Sequence, residues 1–361
     1  MFISLRHQSS DRRCLTTSPR KTLIMLNFDP DRFLSIQNGS VAVAEKLDAT
    51  VRQCLDDGAE NLFFLGAGGV MFLTQPALRL LQTKSTFPVH YEMGAELVEA
   101  DSVHLGPKSL VIMPSLSGTT KEAVAALEFA KNKGATVISF TGHSDTPIAQ
   151  KADYNFTNFA EDDTSSEMFY LQTLLVALSV MRHRGELDRY EETVAELQLL
   201  PRLLVDVKQS FEERAAAFAA TIKNEDYHII TGAGSTWPEA YYYGMCILEE
   251  MQWIRTRPVH ASDFFHGTLE LVEEGVSVIV FGGEDESRPL TERVVQFAPR
   301  FTDKVHVFDT KDFELPGISP QTRALISPVL LATAFERVSA HLEVLRDHPL
   351  TTRRYYKKLE Y

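Results

Sequence analysis

Three hydroxyl side chains stand together in the run Pro114-Ser-Leu-Ser-Gly-Thr-Thr120, at Ser115, Ser117 and Thr120, with Gly118 among them. The run follows an apolar stretch, Ser109-Leu-Val-Ile-Met113, and precedes a segment of helical pattern from Glu122 to Lys133. A loop that opens a helix presents unpaired backbone N–H groups and the positive end of the helix dipole, which favours an anion. Hydroxyls add donors without bulk, and a glycine lets the backbone close around the ligand. One Ser or Thr would suffice to cap the helix, but the whole cluster points to a phosphate.

A second set of residues suits proton transfer. In Ile247-Leu-Glu-Glu-Met-Gln-Trp253, α-helical spacing puts Glu250 on one face with Tyr243, Ile247 and Ile254. A carboxylate on an apolar face is expected to hold its proton more tightly and to exchange it near neutrality. Glu249 lies about a quarter turn away and is not excluded by period alone. His266, in Asp263-Phe-Phe-His-Gly267, is of the residue type best suited to shuttling protons near neutral pH. The basic, Tyr-rich end, with Arg353, Arg354 and Tyr355, is either a solvated tail or a lid.

The elements that must position these groups recur. A strand-like run, Asn61-Leu-Phe-Phe-Leu65, enters Gly66-Ala-Gly68-Gly69, and Tyr227-His-Ile-Ile-Thr231 enters Gly232-Ala-Gly-Ser235. Further strand and helix patterns follow each in the same order, offset by about 170 residues. This is an α/β pattern in duplicate, two doubly wound parallel sheets flanked by helices. The second counterpart of the hydroxyl loop contains Glu284, Asp285 and Glu286 and would repel a phosphate, so only the first is expected to bind one. A dinucleotide site is disfavoured, because Met71 and Trp237 stand where the third glycine of G-x-G-x-x-G belongs.

The expected organisation is an unstructured leader at 1–38, a first α/β domain at 39–184, connecting helices at 185–224, a second domain at 225–345 and a tail at 346–361. The helical stretch from Ser165 to Lys223 is expected to kink at Pro201, and a last helix to span about Gln321 to Arg346. A basic, Ser-rich start without amphipathic period fits a leader better than a transit peptide.

The 361 residues, 44% hydrophobic, can bury a large core. A net charge of −13 argues against nucleic acid as a partner. No apolar run approaches the roughly 20 residues that span a bilayer, so no membrane association is expected. Three scattered cysteines suggest neither disulfides nor a metal site, and a reducing, cytoplasmic setting fits them.

Ser115, Ser117, Gly118 and Thr120 match S-x-S-G-x-T, the phosphate loop of the sugar isomerase (SIS) domain family, which the chain resembles from about residue 39 to its end. Relatives often carry a serine where Val70 stands. Glu250-Met-Gln-Trp253, Phe264-Phe-His-Gly-Thr-Leu-Glu270 and the ending His348-Pro-Leu-Thr-Thr-Arg-Arg-Tyr355 resemble the SIS-domain deglycases that act on fructoselysine 6-phosphate and 6-phosphofructose-aspartate. The isomerase domain of glucosamine-6-phosphate synthase is more distantly similar.

The resemblance implies two tandem SIS domains that hydrolyse a 6-phosphorylated sugar–amino acid adduct to hexose 6-phosphate and amino acid. Glu250 and His266 would be catalytic, and Ser115, Ser117, Gly118 and Thr120 would bind phosphate. Gly68 and Gly69 would lie against the substrate, and the tail would act near the site. No metal or organic cofactor is implied, since the substrate's own carbonyl stores the charge. A homodimer or larger assembly sharing sites between subunits is implied as well. A deaminase, an aldose–ketose isomerase and a non-catalytic sugar-phosphate sensor are the alternatives.

Overall fold

The computed structural model describes residues 25–356, 358 and 359. Most of the expected leader, and Lys357, Glu360 and Tyr361 of the tail, lie outside them. The chain begins with helices α1 (Pro30–Ala42) and α2 (Ala44–Asp56). Residues 30–38, expected in the leader, are therefore helical. The reason is local: the Asp29 carboxylate accepts from the Asp31 and Arg32 N–H groups, and Pro30 occupies the first turn, where it costs no hydrogen bond.

The first sheet unit then runs β1 (Asn61–Gly66), α3 (Gly69–Lys84), β2 (Val89–Met93), α4 (Gly94–Ala100), β3 (Ser109–Ser115), α5 (Lys121–Asn132), β4 (Thr136–Thr141), α6 (Pro147–Lys151) and β5 (Tyr154–Thr157). Helices α7 (Ser165–His183), α8 (Tyr190–Leu197) and α9 (Leu200–Ile222) connect it to the second. Pro201 sits in the first turn of α9, so the expected kink is a helix start instead.

The second unit runs β6 (Tyr227–Gly232), α10 (Trp237–Tyr242), β7 (Arg255–His260), β8 (Ser277–Gly282), α11 (Arg288–Phe297) and β9 (Val305–Asp309), and α12 (Pro320–Leu345) follows. Both sheets are parallel, ordered β2-β1-β3-β4-β5 and β7-β6-β8-β9, so the second repeats the first four strands. The central strands β3 and β8 are buried at every residue, as a sheet covered on both faces requires.

Helices α7, α9 and α12 lie within one apolar core that includes residues of both sheets, among them Phe64, Ile112, Ile279 and Phe281. In each sheet the strand order reverses between the first and third strands of the unit. The crevice at their carboxyl ends is where open α/β sheets hold ligands. Here the loops at those ends are Ala67-Gly68 with the start of α3, and Leu116 to Thr120.

Candidate active site

Ser115 ends β3 and is buried, while Ser117 and Thr120 are half-buried. Thr120 occupies the N-cap of α5, yet its side chain makes no capping bond, which leaves that hydroxyl to a ligand. Gly118 has φ +62°, and a Cβ there would stand 2.1 Å from Thr146 Oγ1, so the loop's close turn requires glycine. Gly68 has φ +64°, and a Cβ on Gly69 would meet the Tyr242 ring at 2.8 Å. That small residue lets α3 approach the helix of the second unit.

In the second unit the corresponding place is already satisfied. Asp285 Oδ2 accepts from the Ser235 N–H at 2.7 Å, and Oδ1 accepts from the Ser287 N–H at 2.8 Å. Glu284 is held by Arg323 at 2.7 and 2.9 Å. These carboxylates are the chain's own anions, pinned over the loop at the β6–β8 switch point.

The helix carrying Glu250 does not keep the α-helical period. Tyr243–Glu249 is a π-helical segment, continued by the bonds Glu250 N–H to Met245 O and Gln252 N–H to Ile247 O, both 3.1 Å. The wider turn shifts the faces by one residue. Tyr242, Cys246 and Glu250 share a cavity with the hydroxyl loop, whereas Tyr243 and Ile247 line a neighbouring one. The alignment of Glu250 with Tyr243, Ile247 and Ile254 thus fails, and so does its apolar setting: Arg353 Nε lies 2.8 Å from Glu250 Oε1. Glu249 Oε1 instead accepts from Thr256 N–H at 3.0 Å and Thr256 Oγ1 at 2.7 Å, which fixes it to β7.

The shared cavity measures about 340 Å³. Gly68, Gly69, Ser115, Ser117 and Thr120 line it from the first unit, and Glu250 and Arg353 from the second unit and the tail. Val70, which offers no hydroxyl, is also on its wall. Asp162, Tyr242, Cys246 and Tyr356 line it too and had not been singled out from the sequence. Burial pushes the Cys246 thiol up, and Glu250 and Glu239 reinforce the effect, so it faces the cavity as a neutral group.

His266 is not on this cavity. It sits exposed in a short 3-10 turn after β7, the edge strand of the second sheet. Arg354 and Tyr355 lie on a separate cavity beyond Glu250.

The adjoining cavity, about 450 Å³, is acidic, with Glu161, Asp163, Glu167 and Glu239 on its walls. Burial raises the pKa of Glu239 well above the usual carboxylate range even though Tyr170 donates to it at 2.8 Å. Burial likewise raises Glu167, against the pull of the Lys208 ammonium. Among the described residues no group of three or more His, Cys, Asp or Glu could hold a metal ion, and no helix is long and apolar enough to cross a membrane.

The hydroxyl loop lies within a stretch, residues 58–182, that matches the SIS domain family. Both parallel sheets have the SIS fold, and the likeness extends well beyond the first domain. A fructosamine deglycase of Bacillus subtilis, FrlB, is 29% identical over 90% of this chain and 100% of its own. A fructoselysine 6-phosphate deglycase of Escherichia coli is 27% identical over 85% of this chain and 88% of its own.

Among solved structures, a Bacillus subtilis protein assigned as a candidate phosphosugar isomerase superposes with a TM-score of 0.80 at 28% identity, over 88% of this chain and 100% of its own. The C-terminal domain of a Francisella tularensis glucosamine-fructose-6-phosphate aminotransferase shares the fold, with a TM-score of 0.76 at 14% identity, over 89% of this chain and 97% of its own.

Proposed function

We propose that the chain is a deglycase that hydrolyses a 6-phosphorylated fructosamine adduct of an amino acid to glucose 6-phosphate and the free amino acid. The observation that carries the reading is one cavity lined by both the SIS hydroxyl loop and Glu250. The similarity to proteins named as deglycases supports it along most of the chain.

In this reading Ser115, Ser117, Thr120 and the loop N–H groups hold the phosphate, and Gly118 permits their convergence. With the ring open, Glu250 takes a proton from C1, and the electron pair passes to the C2 carbonyl, whose oxygen gains a proton. The resulting enolamine is reprotonated at C2 by the same carboxylate, leaving a C1=N imine. Water adds at C1, the C–N bond breaks, and the amine leaves with a proton. Atoms balance as ketoamine plus water giving aldehyde plus amine.

His266 serves ring opening, moving the proton of the ring oxygen. Because it is exposed and off the Glu250 cavity, it acts in the cavity of a second copy, so the working unit is a homodimer or larger assembly with shared sites.

The deciding assay incubates the purified chain with a small panel of 6-phosphofructosyl amino acids, couples sugar phosphate release to glucose-6-phosphate dehydrogenase and measures the amino acid separately. Equal release of both products is the expected result. Efficient ammonia release from glucosamine 6-phosphate with every adduct intact would move the assignment to a deaminase.

A further inference from the structure

The adduct proposed above has two ends, and the hydroxyl loop accounts for one. If the phosphate sits on that loop and C1 lies at Glu250, the amino acid bonded to C1 through nitrogen must continue past Glu250. A cavity of about 600 Å³ opens there. It shares Glu250, Arg353 and Tyr356 with the phosphate cavity and adds Trp253, Arg255, Arg354 and Tyr355.

The positive charges on its wall are only partly paired. Glu250 is paired with Arg353, and Glu249 is bound to Thr256. Among the described residues, Arg255 and Arg354 have no carboxylate within ion-pair distance, although the chain carries a net charge of −13. Arg354 lies over the Trp253 ring, its guanidinium carbon 3.9 Å from the ring centre. Trp253 has φ +57°, a left-handed conformation that a bulky residue rarely adopts. Its ring packs edge-on against His348, the centres 4.5 Å apart. A guanidinium over a ring keeps its N–H edge open, which is the geometry that grips a carboxylate with two bonds.

The acidic cavity next to the phosphate site has, among the described residues, no Lys, Arg or His on its wall to hold an anion. We propose that the arginine-lined cavity binds the carboxylate of the amino acid in the adduct. Arg354, lying over Trp253, and Arg255 are its recognition groups, and they restrict the enzyme to adducts of amino acids rather than of simple amines. The assignment rests on the deglycase reading and adds the chemical class of the leaving amine to it. Contacts far from the reacting carbon can be expressed in turnover as well as affinity, so the selectivity belongs to kcat/KM.

Two substrate pairs that differ only in the carboxylate test it: the 6-phosphofructosyl adducts of glycine and methylamine, and those of the lysine ε-amine and pentane-1,5-diamine. Sugar phosphate release gives kcat/KM for each. The carboxylate-bearing member of a pair is expected to be favoured by at least about tenfold, the effect of one charge-assisted bond. In Arg354→Ala combined with Arg255→Ala, that ratio is expected to fall towards one, while Arg354→Lys retains part of it. Because the readout is a ratio within one preparation, partial misfolding does not imitate the result.

Equal rates on both members by the unaltered enzyme, or a ratio unchanged in the double variant, would overturn the assignment. Preference for the amine member would do so too and would move the leaving group to the acidic cavity. Failure to cleave any of the four adducts would instead remove the deglycase reading, and this assignment with it.

Discussion

Arg353 Nε stands 2.8 Å from Glu250 Oε1, so the chain's tail is joined to the carboxylate that faces the hydroxyl loop. The arginine is itself anchored, donating to the Leu350 carbonyl at 2.6 Å. It therefore sets where the Glu250 carboxylate points. Arg353→Ala is expected to lower kcat/KM on a cleaved adduct by about tenfold or more, and Arg353→Lys to recover part of the loss as a point charge without the fork. A rate unchanged in both variants would leave the tail no part in orienting Glu250.

The two neighbouring glutamates should separate sharply. Glu250→Gln keeps the shape and loses the base, so turnover is expected to drop at least about a hundredfold with substrate still bound. Glu249→Gln can still accept from Thr256 through its amide oxygen and should change turnover little. Kinetics of the two purified variants, with binding followed by calorimetry, check this. The opposite ranking would put Glu249 in the catalytic role.

For the loop, Ser115→Ala, Ser117→Ala or Thr120→Ala should each weaken substrate binding by about 1 to 2 kcal/mol, the worth of a hydrogen bond to a charged group. Gly118→Ala should be more damaging, because the new Cβ meets Thr146 within 2.1 Å at a φ of +62°. Michaelis constants unaltered in the three hydroxyl variants, with melting temperatures intact, would take the loop out of the site.

Stability should depend on His228, buried in β6 with Nδ1 2.8 Å from the Ser277 hydroxyl. Desolvation lowers its pKa to about 4, with Glu225 opposing and His306 and Lys304 reinforcing. On acidification the unfolded chain takes up this proton near the ordinary value of 6.5, while the folded chain refuses it until about 4. Stability is thus complete above about 6.5 and falls as the pH drops towards 4, by on the order of 3 kcal/mol. His228→Asn can keep a bond to Ser277 without titrating, so its melting temperature should fall less between pH 7 and pH 4.5. Parallel pH profiles for the two proteins would show that His228 is not the proton-linked group; His306, also lowered by burial, would be the next to test.

The duplication and the placement of the hydroxyl loop could be read in advance because both are written locally, in β-branched runs that end in glycine turns and in hydroxyls clustered before a helix. The start of α1 was written locally as well, in Asp29-Pro30, and was overlooked inside a stretch expected to be unstructured. The π-helical segment was not legible. Nothing in Tyr243-Gly-Met-Cys-Ile-Leu-Glu249 distinguishes bonds five residues apart from bonds four apart, and the shift turned Glu250 from the face of Tyr243 to that of Tyr242 and Cys246. Asp162 and Tyr356 reach the cavity through long-range packing, for which a single sequence holds no period.

His266 separates a chain that works alone from one that works as an assembly. It is exposed after the edge strand β7 and off the cavity that holds Glu250, and in the proposed function it acts on a sugar held by another copy. The consequence is complementation. Glu250→Gln and His266→Ala chains should each be nearly inactive by themselves. If they are mixed under conditions that let subunits exchange at random into dimers, half the dimers are mixed and each has one site with both native residues. About a quarter of the unaltered activity should then return. Native mass spectrometry of the same mixture reports whether mixed dimers formed. Mixed dimers without recovered activity would mean that both groups act within one chain, which would require His266 to move to the cavity on substrate binding.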